Sequence, residues 1–278
     1  LWTVGINNFG QLGRNGRTDD PVLRKADIDR HIVDVAVGDD HLVVVDDQHV
    51  MWGVGHNNYQ QIGTGCGEYT SSFIKVTTGV VSVSAGRRAT RLIKTDGHLY
   101  GLGDNRWEKL VDRAAGVLSS PTLMMNNVDF CASGEHQCVF VTKEGILYYA
   151  GWRPFDSFQK GSGNDPTNVK VMDGVKEAYL NTDDMIILCK NGDVYGYGLN
   201  TGNCLGATHT GGNPGLLASD AVSCAMGYNF SAILYRDGTI EVQGTNDYGQ
   251  AGNGQVGGIV SRSEVIRLTE YLRKKEQL

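Results

Sequence analysis

Two stretches of the 278-residue chain carry the residue types that hold phosphate: "GINNFGQLG" (5–13) and "GYGLNTG" (196–202). Closely spaced glycines free backbone N–H groups to converge on an anion, and a following helix N-terminus strengthens such a cradle. Neither stretch is followed by a helical pattern. No G-x-S-x-G nucleophile elbow or P-loop occurs, and the histidines, cysteines and acids show no metal-ligand spacing. The sequence therefore points to no catalytic residue, no cofactor and no metal. His41, beside Asp39 and Asp40, is the most chemically suggestive side chain, and its first reading is a hydrogen bond that pins its own loop.

The glycine phrases belong to something larger. Aligned on one glycine, the chain reads Gly5-Ile6-Asn7-Asn8, Gly55-His56-Asn57-Asn58, Gly103-Asp104-Asn105-Arg106, Gly151-Trp152-Arg153-Pro154, Gly198-Leu199-Asn200-Thr201 and Gly244-Thr245-Asn246-Asp247, at intervals of 50, 48, 48, 47 and 46 residues. A fixed period in this range marks a stack or ring of one structural unit. Each loop is then the turn that leaves a strand, with Asn7 bonded to its backbone.

One unit, residues 32–55, reads IVDVAV, a break at GDD, HLVVV, a turn at DDQH, and VMWGV. Short β-branched strands bounded by Gly and Asp form hairpins. The later turns carry Asp96-Gly97, Glu144-Gly145, Asn191-Gly192 and Asp237-Gly238, read as type I′; Gln48-His49 departs from this and predicts a looser turn. Three residues before the anchor glycine stand Trp2, Trp52, Tyr100, Tyr148, Tyr195 and Glu241, mostly aromatic and suited to packing between sheets. A weaker fourth strand is expected at 22–26, 72–77, 121–125, 168–172, 214–218 and 263–268. Four short strands per unit make a propeller blade. The expected fold is all-β: a propeller of four-stranded blades over residues 1–268, six blades from six repeats with seven left open, then a short helix over 269–278. The first unit shows only its third and fourth strands, so either the missing piece of its blade precedes Leu1 or the ring closes with an unusual blade supplied partly by "SEVIRL". Leu1 in place of an initiator methionine is read as the mark of a piece of a longer chain.

Aromatic-x-x-Gly-x-Asn-x-x-Gly-Gln-Leu-Gly, then Val-x-x-Ala-x-Gly-x-x-His and Asp-Gly, resembles the regulator of chromosome condensation repeat. The best copies are Trp2–Gly13 and Trp52–Gly63; the third and fourth are degraded. The resemblance implies a ring of blades, typically seven. It also implies a protein partner. Founding members act on the small GTPase Ran with acidic and histidine residues and an inserted β-wedge, for which these short repeats leave no room. Bacterial members of the family inhibit an enzyme through face aromatics.

Strand polarity puts the turn after strand one and the loop after strand three on one face. That face would display Asp39, Asp40, His41, Arg87, Arg88, Arg106, Trp107, Glu135, Arg153, Phe155, Phe158, Asp183, Tyr228 and Tyr248 as a partner-binding surface. The leading expectation is a non-enzymatic interaction module. A guanine-nucleotide exchange factor and an inhibitor follow it. Net charge is −6, which argues against nucleic acid, whose phosphates call for a basic surface. No apolar run reaches the roughly 20 residues needed to span a bilayer. The cysteines form no C-x-x-C; Cys131 and Cys224 fall on apolar strand positions and are read as buried thiols of a cytoplasmic or nuclear protein.

Overall fold

A computed structural model describes residues 1–106, 116–151, 168–206, 209 and 214–267. The structure is built from antiparallel sheets in chain order. β1 (Trp2–Gly5) pairs with β2 (Asp20–Lys25) in a two-stranded sheet. Five four-stranded meanders follow: β3 to β6 (Ile32–Val37, His41–Asp46, Val50–His56, Tyr69–Thr78), β7 to β10 (Val80–Ala85, Ala89–Lys94, Leu99–Asp104, Val117–Met125), β11 to β14 (Val128–Ser133, Gln137–Thr142, Leu147–Gly151, Val169–Met172), β15 to β18 (Val175–Leu180, Asp184–Cys189, Val194–Gly198, Gly215–Ala218) and β19 to β22 (Ala221–Met226, Phe230–Tyr235, Thr239–Thr245, Ile259–Arg267). These are six propeller blades, the first present as its third and fourth strands. All six expected fourth strands form. Residues 263–267 of the "SEVIRL" segment lie within β22, the fourth strand of its own sheet, paired with β21. The expected helix at 269–278 lies outside the described residues.

The chain divides into two compact units, one containing Leu1–Lys143 and the other the residues from Lys170 onward. Within each, the second strand of a blade is the core. β4, β8, β12 and β16 are buried on both faces, which is why they read as apolar runs instead of alternating ones. In the first unit Val43, Val45, Met51 and Ile62 from one sheet pack with Val80, Val83, Leu92 and Leu102 of the next. In the second, Ile186, Leu188 and Val194 pack with Ala221, Cys224 and Ile233. Trp52, Tyr100 and Tyr148 lie half-buried against these clusters. Their polar tips or faces are also engaged: Trp52 Nε1 donates to Asp46 at 2.9 Å, Tyr100 Oη to Asp96 at 2.9 Å, and Tyr148 stacks on Phe140.

The hairpin turns differ from the type I′ expectation. Gly97, Gly145, Gly192 and Gly238 have φ between 79° and 91°, while the Asp, Glu or Asn before each does not have positive φ. Lys94 accepts from Gly97 N–H and donates to the His98 carbonyl. This is a type I turn closed by one left-handed residue, so a single glycine suffices. His49 takes the same left-handed conformation, φ 58°, and its N–H bonds Asp46 as a glycine would. The first turn is therefore as tight as the rest.

None of the six cysteines is in a disulfide, and five are buried. Burial pushes the Cys131 and Cys224 thiols up to about 12, which leaves them protonated and inert.

Candidate functional site

The repeat loops spend their polar groups on themselves. Asn7 is buried; its Nδ2 donates to the carbonyls of Gly16 and Thr18 at 3.0 and 3.1 Å, and its Oδ1 accepts from Leu12 N–H at 2.9 Å. Asn57 bonds Gly63 and Ile62 likewise, Asn200 bonds Gly206 and Leu205, and Asn246 bonds Gln255 and Ala251. These asparagines brace the loops from within.

A second brace sets what the loops present. Gln11, Gln61 and Gln250 accept through Oε1 from the N–H groups of Phe9, Tyr59 and Tyr248, at 2.9, 3.0 and 2.9 Å. An aromatic residue therefore stands at the loop apex, four residues after the anchor glycine. Trp107 occupies that position in the third repeat. This aromatic register identifies Phe9 as a face residue beside Tyr59 and His56, which the loop polarity already places there; Phe9 is the one the sequence reading missed. The signal was present in the alignment, one column beyond the phrase used to anchor it.

In the first unit the apices and the strand-one turns meet. Phe9 lies against His56 with ring centroids 4.4 Å apart, and His56 meets Tyr59 edge-on at 6.3 Å. Two guanidinium groups flank Tyr59: Arg88 at 4.6 Å and Arg106 at 4.9 Å from the ring centroid. Arg106 is held by the buried carboxylate of Asp104 through Nε at 2.9 Å and Nη2 at 2.8 Å, which raises its pKa and fixes it as a cation. Arg88 forms no ion pair among the described residues and keeps its charge available. Beside it, Arg87 bridges Asp39 at 3.4 Å and Glu135, which His136 Nε2 approaches at 3.3 Å. Asp39 is exposed and Asp40 half-exposed.

His41 sits beneath this surface. It is 1% exposed, and its Nε2 lies 3.0 Å from Thr90 Oγ1. That hydroxyl donates to the Gln61 carbonyl at 2.7 Å, so it accepts from His41 and fixes the Nε2–H tautomer. Burial, reinforced by His56, pushes the His41 pKa down to about 4. The ring is neutral at pH 7 and joins three loops.

In the second unit Asp183 is half-buried, and burial with the neighbouring Asp184 raises its pKa. Tyr228 is exposed and Tyr248 is 91% exposed. Trp107, Arg153, Phe155 and Phe158 lie outside the described residues. Among the described residues no cluster of His, Cys, Asp or Glu could hold a metal, and no helix is long and apolar enough to cross a membrane.

Comparison with known proteins agrees with this geometry. The model of the regulator of chromosome condensation (RCC1) repeat matches residues 1–45. The ultraviolet-B receptor UVR8 of Arabidopsis thaliana is 25% identical over 215 residues, 72% of this chain and 49% of the relative. A human RCC1-like G exchanging factor-like protein is 25% identical over 168 residues, 55% of this chain and 36% of the relative. The chain thus spans about half or less of these curated relatives. Among solved structures, yeast RCC1 (Prp20) bound to Kap60 aligns with a TM-score of 0.78 at 18% identity, covering 97% of this chain and 71% of that one. Phased repeats, four-stranded meanders and these likenesses lead to one conclusion: the chain carries an RCC1-type repeat at residues 1–45 and has a β-propeller fold like that of RCC1.

Proposed function

We propose that the protein is a non-enzymatic interaction module that binds a protein partner with its loop face. The observation that carries this reading is the Arg88–Tyr59–Arg106 stack, with Phe9 and His56 beside it. Aromatic and arginine side chains dominate binding hot spots because they bring large contact area and directed polarity at low entropic cost. Here they are pre-positioned by Gln61 and Asp104, so little ordering remains for binding to exact. In the first unit the proposed face extends to Asp39, Asp40, Arg87 and Glu135 and, by repeat position in the sequence, to Trp107 and Arg153; the second unit carries its own proposed loop surface with Asp183, Tyr228 and Tyr248 and, by repeat position, Phe155 and Phe158. His41 supports it from below. The proposed setting is the cytoplasm or nucleus.

The test is quantitative affinity purification with the parent chain, a Tyr59→Ala/Arg88→Glu variant, and Lys190→Glu in a hairpin turn as control. Partners that fall at least tenfold with the face variant and persist with the control support the face. Retention of every partner by both overturns it.

The human relative, an RCC1-like G exchanging factor-like protein, favours a second reading, regulation of nucleotide exchange on a small GTPase. The exposed Asp39 and half-exposed Asp40 suit it; the buried, neutral His41 does not. Release of labelled GDP from Ran in the presence of the chain decides: acceleration establishes this reading, and an unchanged rate removes it.

A further inference from the structure

The glutamine clamp holds three apices, but the residue beside it differs. The position just after the anchor glycine holds Ile6 in the first repeat, Thr245 in the sixth and His56 in the second. Of these three clamps, that on Tyr59 alone has an ionisable ring at this position. Gln61 is fully buried, and both ends of its amide are engaged. Its Oε1 accepts from Tyr59 N–H at 3.0 Å, so its Nε2 is the atom that faces His56 Nδ1, at 3.4 Å. An amide nitrogen only donates, hence Nδ1 accepts and His56 is the neutral Nε2–H tautomer. The amide cannot turn over to suit a changed histidine, because that would set its Nε2 hydrogens against Tyr59 N–H. The Gln61 carbonyl is fixed as well, through the Thr90 hydroxyl that His41 supports.

We propose that His56 is a pH-sensitive latch on the Tyr59 apex: a proton arriving at Nδ1 breaks the contact with Gln61 and releases the apex. Once Nδ1 is protonated, N–H faces N–H, and the clamp loses its support. Groups from each neighbouring element set the balance. Arg88, from the β7–β8 turn, opposes the added charge, while Asp40, from the β3–β4 turn, and Glu68, just ahead of β6, favour it. The two carboxylates are also the groups toward which a charged ring turns. His41 lies below, Tyr69 pairs opposite on β6, and Phe9 covers the ring at 4.4 Å. Burial is the largest influence and lowers the His56 pKa from its ordinary 6.5. The latched form therefore prevails at pH 7, and the released form grows as the pH falls below 6.5. Release takes Tyr59 out of its fixed place between Arg88 and Arg106, so partner binding weakens on acidification. This last consequence rests on the loop-face reading proposed above; the latch itself does not.

The test is an NMR titration of the full chain from about pH 7.5 to 5.5, a window above the value of about 4 at which His41 titrates. The His56 ring and the Tyr59 backbone amide should titrate with one midpoint below 6.5, while the Tyr248 amide, clamped beside Thr245, holds still. Two variants separate the relay from a direct effect of the ring. His56→Phe keeps a ring against Phe9 and should leave the Tyr59 amide still. Gln61→Met should let His56 titrate while Tyr59 no longer follows. A Tyr59 amide that does not move in the parent, or that moves equally in either variant, overturns the latch. Affinity capture reads the consequence: the amount of partner held at pH 5.5 relative to pH 7.5 should drop at least fivefold for the parent and stay level for His56→Phe. Equal ratios for the two chains overturn the regulatory role. Partners that persist on Tyr59→Ala/Arg88→Glu instead strike the loop-face reading, and the Tyr59 amide then decides the latch by itself.

Discussion

Two buried side chains show how single residues hold this face. His41 remains neutral while the unfolded chain's histidine titrates near 6.5. Between those values the unfolded state binds the proton and the folded state does not, so stability is complete above about pH 6.5 and falls as the pH drops toward 4. The slope from this one group approaches ~1.4 kcal/mol per pH unit. Urea denaturation from pH 7 to 4 should show it, and His41→Gln should flatten it. Asn57 acts without charge. Asn57→Ala leaves the Ile62 N–H and the Gly63 carbonyl without their partner, at a cost of about 2 kcal/mol, measurable by the same denaturation. The position of Asn57 was legible from its recurrence. The burial of His41 was not, because Thr90 comes from another repeat, and nothing local in "GDDH" announces a partner 49 residues away.

At the scale of elements, successive first strands are spaced by glycine. A Cβ on Gly38 would fall 2.5 Å from the Gly86 carbonyl oxygen, and one on Gly86 would fall 2.4 Å from that of Gly134. Gly86→Ala is expected to cost about 2 kcal/mol through overpacking. Gly67→Ala, with nothing within 4 Å, should be neutral, and thermal melts of the pair decide. The fifth repeat has Asn181 here, and it exploits the gap: Nδ2 donates to the Tyr228 carbonyl at 2.9 Å while Oδ1 accepts from the N–H groups of Asp183 and Asp184. Strands and their order were readable because period-2 patterns and turn glycines are local. The turn type was misread because Asp-Gly fits two geometries; the hydrogen-bond register separates them. Arg91, fully buried in β8 and donating to Ser133 Oγ at 2.6 Å, shows the opposite limit. It occupies a position filled by Val43 and Val139 in other repeats, and no sequence pattern predicts a charge there.

For the whole molecule, protection should follow strand position. Amide hydrogen exchange is expected to be slowest in β4, β8, β12 and β16, buried on both faces, and fastest in β1 and β2, whose sheet has two strands among the described residues. Uniform exchange across the sheets would contradict the blade-centred core. Net charge adds a second expectation. The chain carries −6 at pH 7 with an isoelectric point near 5.6. Lowering the pH removes electrostatic repulsion between molecules in the same interval in which His41 destabilises the fold. Turbidity should therefore rise on acidification toward pH 5.6, and earlier for the parent than for a His41→Gln variant that folds.

The glutamine clamp on the apices of Phe9, Tyr59 and Tyr248 has a consequence for engineering. Gln61 steers Tyr59 from two residues away, and Asn57 ties the same loop to the carbonyls of Gly63, Cys66 and Gly67, so the segment 57–67 carries most of its own rigging. A module braced largely from within is portable. Grafted into the fifth-repeat loop, where Gly202 stands four residues after the anchor glycine, it should plant a new aromatic there at a known height, turning the face into a surface whose contact points can be set one repeat at a time.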